Sequence, residues 1–158
     1  MKKCSILGII ASLGLICAAN AADISIYYSP TCPHCHHARD FFRNNLIYEF
    51  PSIKISEVNV TQSENQGVFM DTLKKCKYES GGVPVIVIGE KCFQGYADYM
   101  QTELRDAVAI DLTDTEKQFA TDVQEKMKTD ADKYRSENSD KVAKISEYVS
   151  ESKKKVIQ

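Results

Sequence analysis

The sequence has no basic stripe, no second long apolar run and few cysteines. Its 20 lysines and arginines stand against 22 aspartates and glutamates, a formal net charge of −2. Such a balance gives a polyanion nothing to grip, so nucleic acid is not an expected partner. Beyond the N-terminal segment no stretch approaches the ~20 apolar residues of a membrane-spanning helix. The remainder is therefore expected to be soluble, without a membrane partner. Six cysteines in 158 residues are too sparse for a miniprotein stapled by disulfides, and the apolar runs suffice for an ordinary core. No internal repeat or low-complexity tract stands out. From 111 to 158 glycine and proline vanish and charge dominates.

The N-terminus has its own pattern. Lys2 and Lys3 precede an apolar run from Ile6 to Ile16, and Ala19-Asn20-Ala21 is a small-x-small site. That reads as a signal peptide cut after Ala21. The alternatives are an uncleaved anchor, or a lipid on Cys17, against which the bulky Ile16 argues. Cleavage implies export, to a bacterial periplasm or the extracellular space. It also removes Cys4 and Cys17 and leaves Cys32, Cys35, Cys76 and Cys92, an even number compatible with two disulfides.

Periodicity places the elements. Ile24 to Tyr28 is a short β-prone run stopped by Ser29-Pro30. From Pro33 to about Leu46, Ala38, Phe41, Phe42 and Leu46 recur at helical spacing, with Arg39, Asp40 and Arg43 between them. Ile53, Ile55, Val58 and Val60 mark a second strand, and Asn65 to Cys76 a second helix ended by Gly81-Gly82. Val83 to Ile88 reads as a strand buried on both faces, turned by Gly89-Glu90 into Lys91 to Gln94 as a hairpin. A helix follows to about Ile110. The expected fold is α/β: a four-stranded mixed sheet at 22–110 covered by helices on both faces. Two narrow apolar stripes then predict a helical extension over 111–158: Phe119, Val123, Met127, Ala131 and Tyr134, then Val142, Ile145, Val149 and Val156. It has the make-up to pack back on the domain or to pair with a second chain as a homodimer.

Chemistry gathers at Cys32-Pro33-His34-Cys35. Pro33 suits the first position of a helix, so Cys32 falls at a helix N-terminus, where unpaired N–H groups and the dipole favour an anion. A cysteine so placed is a nucleophile. A protonated His34 would favour its thiolate further and lean the pair towards being an oxidant. Cys35, two residues on, can reach a mixed disulfide on Cys32 and resolve it.

These motifs resemble the thioredoxin superfamily. The carriers are Tyr28-Ser29-Pro30-Thr31-Cys32-Pro33-His34-Cys35 after a strand, and Gly82-Val83-Pro84-Val85-Ile86-Val87-Ile88-Gly89 downstream. The layout is similar to glutaredoxins, and the Pro-His pair to DsbA-type disulfide oxidases. The resemblance covers about 24–110. It implies a thiol–disulfide oxidoreductase acting on protein or small-molecule disulfides with an unidentified redox partner. It also implies a cis peptide bond before Pro84, with the Val83 backbone presented to an extended substrate. Cys32, Pro33, His34 and Cys35 are the implied catalytic set, and Val83, Pro84, Tyr28 and Tyr96 the substrate-binding set. Glutaredoxins carry a lysine where Tyr28-Ser29 stands, and a Gly-Gly pair before an aspartate where this chain has Gly95-Tyr96-Ala97-Asp98. Glutathione is thus at most a co-substrate, and no bound cofactor or metal is expected.

Three other readings compete. Cys32-Pro33-His34-Cys35-His36 also fits a c-type haem attachment signature, although its flanks are β-rich. His34, His36 and His37 beside the two cysteines have the chemistry of a zinc or copper(I) site. A redox-inert domain binding through its C-terminal helices is the third. Cys76 and Cys92 are read as a structural disulfide. Its loop of about 17 residues would contribute on the order of 3 kcal/mol. A second redox pair and two free thiols are the alternatives.

Overall fold

In the computed structural model, residues 22–150 are described. The expected signal peptide at 1–21 and Val156 lie outside them. Five strands form one mixed sheet: β1 (Asp23–Tyr28), β2 (Lys54–Asn59), β3 (Val85–Ile88), β4 (Lys91–Gln94) and β5 (Lys144–Glu147). Their order is β4-β3-β1-β2-β5. β1 runs parallel to β2, and β2 to β5, while β3 is antiparallel to both β1 and β4. Four helices accompany them: α1 (Pro33–Phe41), α2 (Gln66–Cys76), α3 (Gln101–Ala109) and α4 (Asp114–Glu137). α1 continues through a π segment, Phe42–Leu46, and a last turn, Ile47–Glu49.

Side-chain alternation along the central strands builds two cores. Ile24 and Ile26 of β1, Ile55 of β2 and Ile86 of β3 pack with Ala38, Phe41, Phe42, Leu104 and Ala120 on one face. Tyr27, Val58 and Val85 pack with Phe69 and Leu73 of α2 on the other. Each such fully buried aliphatic or aromatic side chain contributes about 1.5–3 kcal/mol over an exposed one. Local signals set the helix ends. Lys77, at φ 58°, closes α2 in a left-handed turn with the Tyr78 N–H on the Leu73 carbonyl. Thr113 and Glu116 form a reciprocal capping box at the start of α4. Asp130, at φ −157°, kinks α4, and its carboxylate accepts the Lys133 N–H.

Four expectations need correction. The sheet has five strands, not four, and the C-terminal extension is only partly helical. Val123 and Met127 do turn a stripe of α4 inward. After Glu137, however, the chain turns and Lys144–Glu147 joins the sheet beside β2. The near-heptad spacing of Val142, Ile145 and Val149 is thus incidental: only Ile145 lies in the strand, and the two valines flank it. A short repeat does exist: Lys-Ile-Ser-Glu at 54–57 recurs at 144–147. The two copies pair in register, Lys54 with Lys144, Ile55 with Ile145, Ser56 with Ser146 and Glu57 with Glu147. Strand β3 also starts later than expected, at Val85, leaving Val83 and Pro84 in the approach to it.

Candidate active site

The site is assembled where β1 ends and α1 begins. Cys32 is the N-cap of α1, with extended backbone, and Pro33 occupies the first helical turn. The Cys32 sulfur accepts the Cys35 backbone N–H at 3.2 Å. The Cys32 N–H in turn donates to the Ser29 carbonyl, which closes the loop ahead of the helix. Cys32 is half-buried and Cys35 is 1% exposed. Both are free thiols.

Burial pushes the Cys35 thiol up to about 12, helped by the hydrogen bond it donates to Cys32. The Ser29 backbone and the Arg39 charge act in the opposite direction. Cys35 is therefore protonated at neutral pH, with its proton directed at the outer sulfur.

Val83 and Pro84 close the site from the other side. The Cys32 thiol lies 3.5 Å from the Val83 carbonyl oxygen, to which it donates. The Val83–Pro84 peptide bond is cis. The Pro84 carbonyl accepts the Gly95 N–H at 2.7 Å, and Gly95, at φ 81°, takes a conformation that a side chain would strain. Cys76 and Cys92 are bonded to each other, their Cα atoms 5.8 Å apart. That bridge and the Gln94 amide, which donates to the Ser80 and Gly82 carbonyls, tie down the segment leading to Pro84.

The histidines separate. His34 and His37 are exposed beside Tyr96, Ala97 and Asp98, which together line a shallow groove. The His36 ring is held at 2.8 Å by the Pro30 carbonyl. Among the described residues no cluster of three or more histidine, cysteine or acidic side chains has metal-binding geometry. Tyr96 is buried, stacked at a tilt on Phe41, with its hydroxyl accepting from the Gln101 amide. Tyr28 is also buried, on the β2–β5 side. Its ring lies 4.0 Å beneath the Arg39 guanidinium and its hydroxyl donates to Glu147 at 3.2 Å. Both tyrosines thus engage the protein's own side chains.

Sequence reasoning missed the charge cluster beneath the site. Glu57, 1% exposed, receives Arg39 at 2.7 Å and Arg43 at 2.6 Å on one carboxylate oxygen. Burial alone would push the Glu57 carboxyl up, but the two guanidinium groups outweigh it and hold the carboxyl below its ordinary value. Arg39 also reaches Glu147 of β5 at 3.8 Å. A second buried carboxylate, Glu49, takes a bidentate Arg105 and the Gln124 amide, which fastens α3 and α4 to the end of the first helix. The available signal was a slip in β2: the inward slot after Ile55 is filled by a glutamate, and two arginines four apart stand on the preceding helix.

Residues 24–93 match the family model described as glutaredoxin. A solved structure, the glutaredoxin from Archaeoglobus fulgidus, is similar at 24% identity, over 54% of this chain and 88% of that one, with a TM-score of 0.42. No curated protein matches the chain.

Proposed function

We propose that the protein exchanges disulfides with protein or small-molecule thiols through Cys32 and Cys35, a reading supported by the match of residues 24–93 to the glutaredoxin family model. The observation that carries this reading is the pairing of a half-buried Cys32 at a helix N-terminus with a buried, protonated Cys35 hydrogen-bonded to it.

The steps balance as follows. The Cys32 thiolate attacks one sulfur of a substrate disulfide. A Cys32–substrate bond forms, the substrate S–S bond breaks, and the departing sulfur takes a proton. Cys35 then loses its proton to solvent and attacks the Cys32 sulfur. The mixed disulfide breaks, the second substrate sulfur leaves as a thiol, and the Cys32–Cys35 disulfide remains. Two electrons have passed to the substrate. Run backwards, the same steps oxidise a dithiol.

Extended substrate backbone would dock along Val83, whose carbonyl already faces the Cys32 sulfur. His34 is exposed at the first turn of α1, and on this reading it would act on the incoming sulfur. The leader-like pattern of residues 1–21 supports action outside the cytoplasm, in a bacterial periplasm or beyond.

The test compares wild type with Cys32→Ser and Cys35→Ser on a protein disulfide. Cys32→Ser should abolish exchange. Cys35→Ser should trap a mixed disulfide visible by mass. Full activity in Cys32→Ser would sink the reading. Since Cys35 is held protonated up to about 12, the resolving step should quicken as pH rises through the neutral and mildly alkaline range, about tenfold per unit in the simplest case.

A further inference from the structure

The family-model match ends at residue 93, yet strand β5, some fifty residues later in the chain, delivers a carboxylate to the helix that carries Cys35. Arg39 lies one turn beyond Cys35 on α1, so the two share a helix face. The charged and titratable groups around Cys35 and Arg39 come from four elements. Cys32 caps α1, and Arg43 follows Arg39 in the π segment that continues the helix. Tyr28 comes from β1, Glu57 from β2 and Glu147 from β5. The in-register repeat sets Glu57 beside Glu147. Like charges side by side on neighbouring strands repel, and the Arg39 guanidinium bridges both.

We propose that Arg39 and Glu147 are paired positioning residues that set how readily Cys35 gives up its proton, Arg39 easing the loss and Glu147 restraining Arg39. The proposal rests on the reading of Cys35 as the resolving thiol. The cation favours the Cys35 thiolate, and a carboxylate drawing on that cation weakens the effect. Glu57 does the same from a buried position, but it also holds the fold together, so Glu147, 58% exposed on its side chain, is the adjustable member. The Glu147 carboxylate also fixes the Tyr28 hydroxyl. Tyr28 immediately precedes Ser29, whose backbone favours the Cys35 thiolate.

The two residues therefore have opposite signs, which a purely structural role does not give. In a Cys32→Ser background, the rate at which iodoacetamide alkylates Cys35 reports its thiolate fraction and its accessibility. Arg39→Met should slow alkylation several-fold, Arg39→Lys should restore most of the rate, and Glu147→Gln should quicken it. If the cluster merely packs the helix, Arg39→Met loosens the structure, exposes Cys35 and speeds alkylation. That outcome, an unchanged rate, or a slower Glu147→Gln overturns the proposal. Should Arg39→Met fail to fold, Arg39→Lys and the half-exposed Glu147→Gln still decide the sign. A separate assay judges the underlying reading. In the intact active site, modification with Ellman's reagent should release one thionitrobenzoate from attack by Cys32 and a second when Cys35 resolves the adduct. Release of only one equivalent refutes Cys35 as resolving thiol, whatever the alkylation rates show.

Discussion

The two edges of the sheet are secured by different chemistry. On one side β4 is bound covalently, through Cys92 to Cys76 at the end of α2, and its Gln94 side chain grips the Ser80 and Gly82 carbonyls. On the other side β5 has no covalent tie. The Ala143 N–H meets the Ile47 carbonyl, the Tyr148 N–H meets the Glu57 carbonyl, and charge supplies the rest. Each edge supports one wall of the site. The β4 edge steadies the approach to Val83 and Pro84, opposite Cys32. The β5 edge braces Tyr28 and Arg39, beneath the helix that holds Cys35. One clamp responds to redox conditions and the other to pH.

The largest effect should come from breaking the charged side at its buried centre. Glu57→Ala leaves Arg39, 15% exposed, with only the half-exposed Glu147 at 3.8 Å as a counter-charge. Removing one partner of a buried ion pair costs about 3–5 kcal/mol, so the urea midpoint should fall sharply. A loss below about 1 kcal/mol would mean that the strand pairing alone holds this edge. The covalent side comes next. Cys76→Ser with Cys92→Ser should cost on the order of 3 kcal/mol from the released loop, and the Gly95 N–H, bonded to the Pro84 carbonyl, should lose exchange protection. An unchanged midpoint would show that Gln94 and the hairpin suffice there, and that the two edges differ less than their bonds imply.

The same contrast explains what was legible in the sequence. Between residues 24 and 110 almost every element stood within a residue or two of its expected place. There the period of two and the period of 3.6 are distinct, and Pro33, Gly89 and Gly95 punctuate the boundaries. Cys32, Cys35, Val83 and Pro84 could be named because two motifs bracket a predictable strand and helix. Strand β5 was not legible. Four residues with one half-buried isoleucine carry little periodic signal, and they follow a long charged helix whose spacing invites continuation. Its evidence lay in the repeat of Lys-Ile-Ser-Glu, which matters only once β2 has a free edge. Arg39 and Glu57 were missed for another reason. An arginine on a helix reads as a solvated face until a buried acid is found across from it. Only the sheet register puts Glu57 beneath α1 and Glu147 beside it.

Acid should separate the edges by a smaller but diagnostic amount. The folded state holds the Glu57 carboxyl below its ordinary value of 4.5. A group so depressed adds stability that is fully present above the unfolded value and is lost as pH falls through the folded one. The Cys76–Cys92 bond does not titrate. Lowering the pH from about 7 to about 3 should therefore weaken the β5 side first, while β4 keeps its covalent tie. Hydrogen exchange resolves this once each amide's rate is corrected for its intrinsic pH dependence. The Tyr148 N–H, bonded to the Glu57 carbonyl, should lose protection before the amides of β4 do. In Glu57→Gln, which cannot ionise, the gap between the edges should be set already at neutral pH and change little on acidification. Simultaneous loss of protection at both edges would instead mean that they open as one cooperative unit, with the charge cluster stabilising the whole sheet and not one side of it.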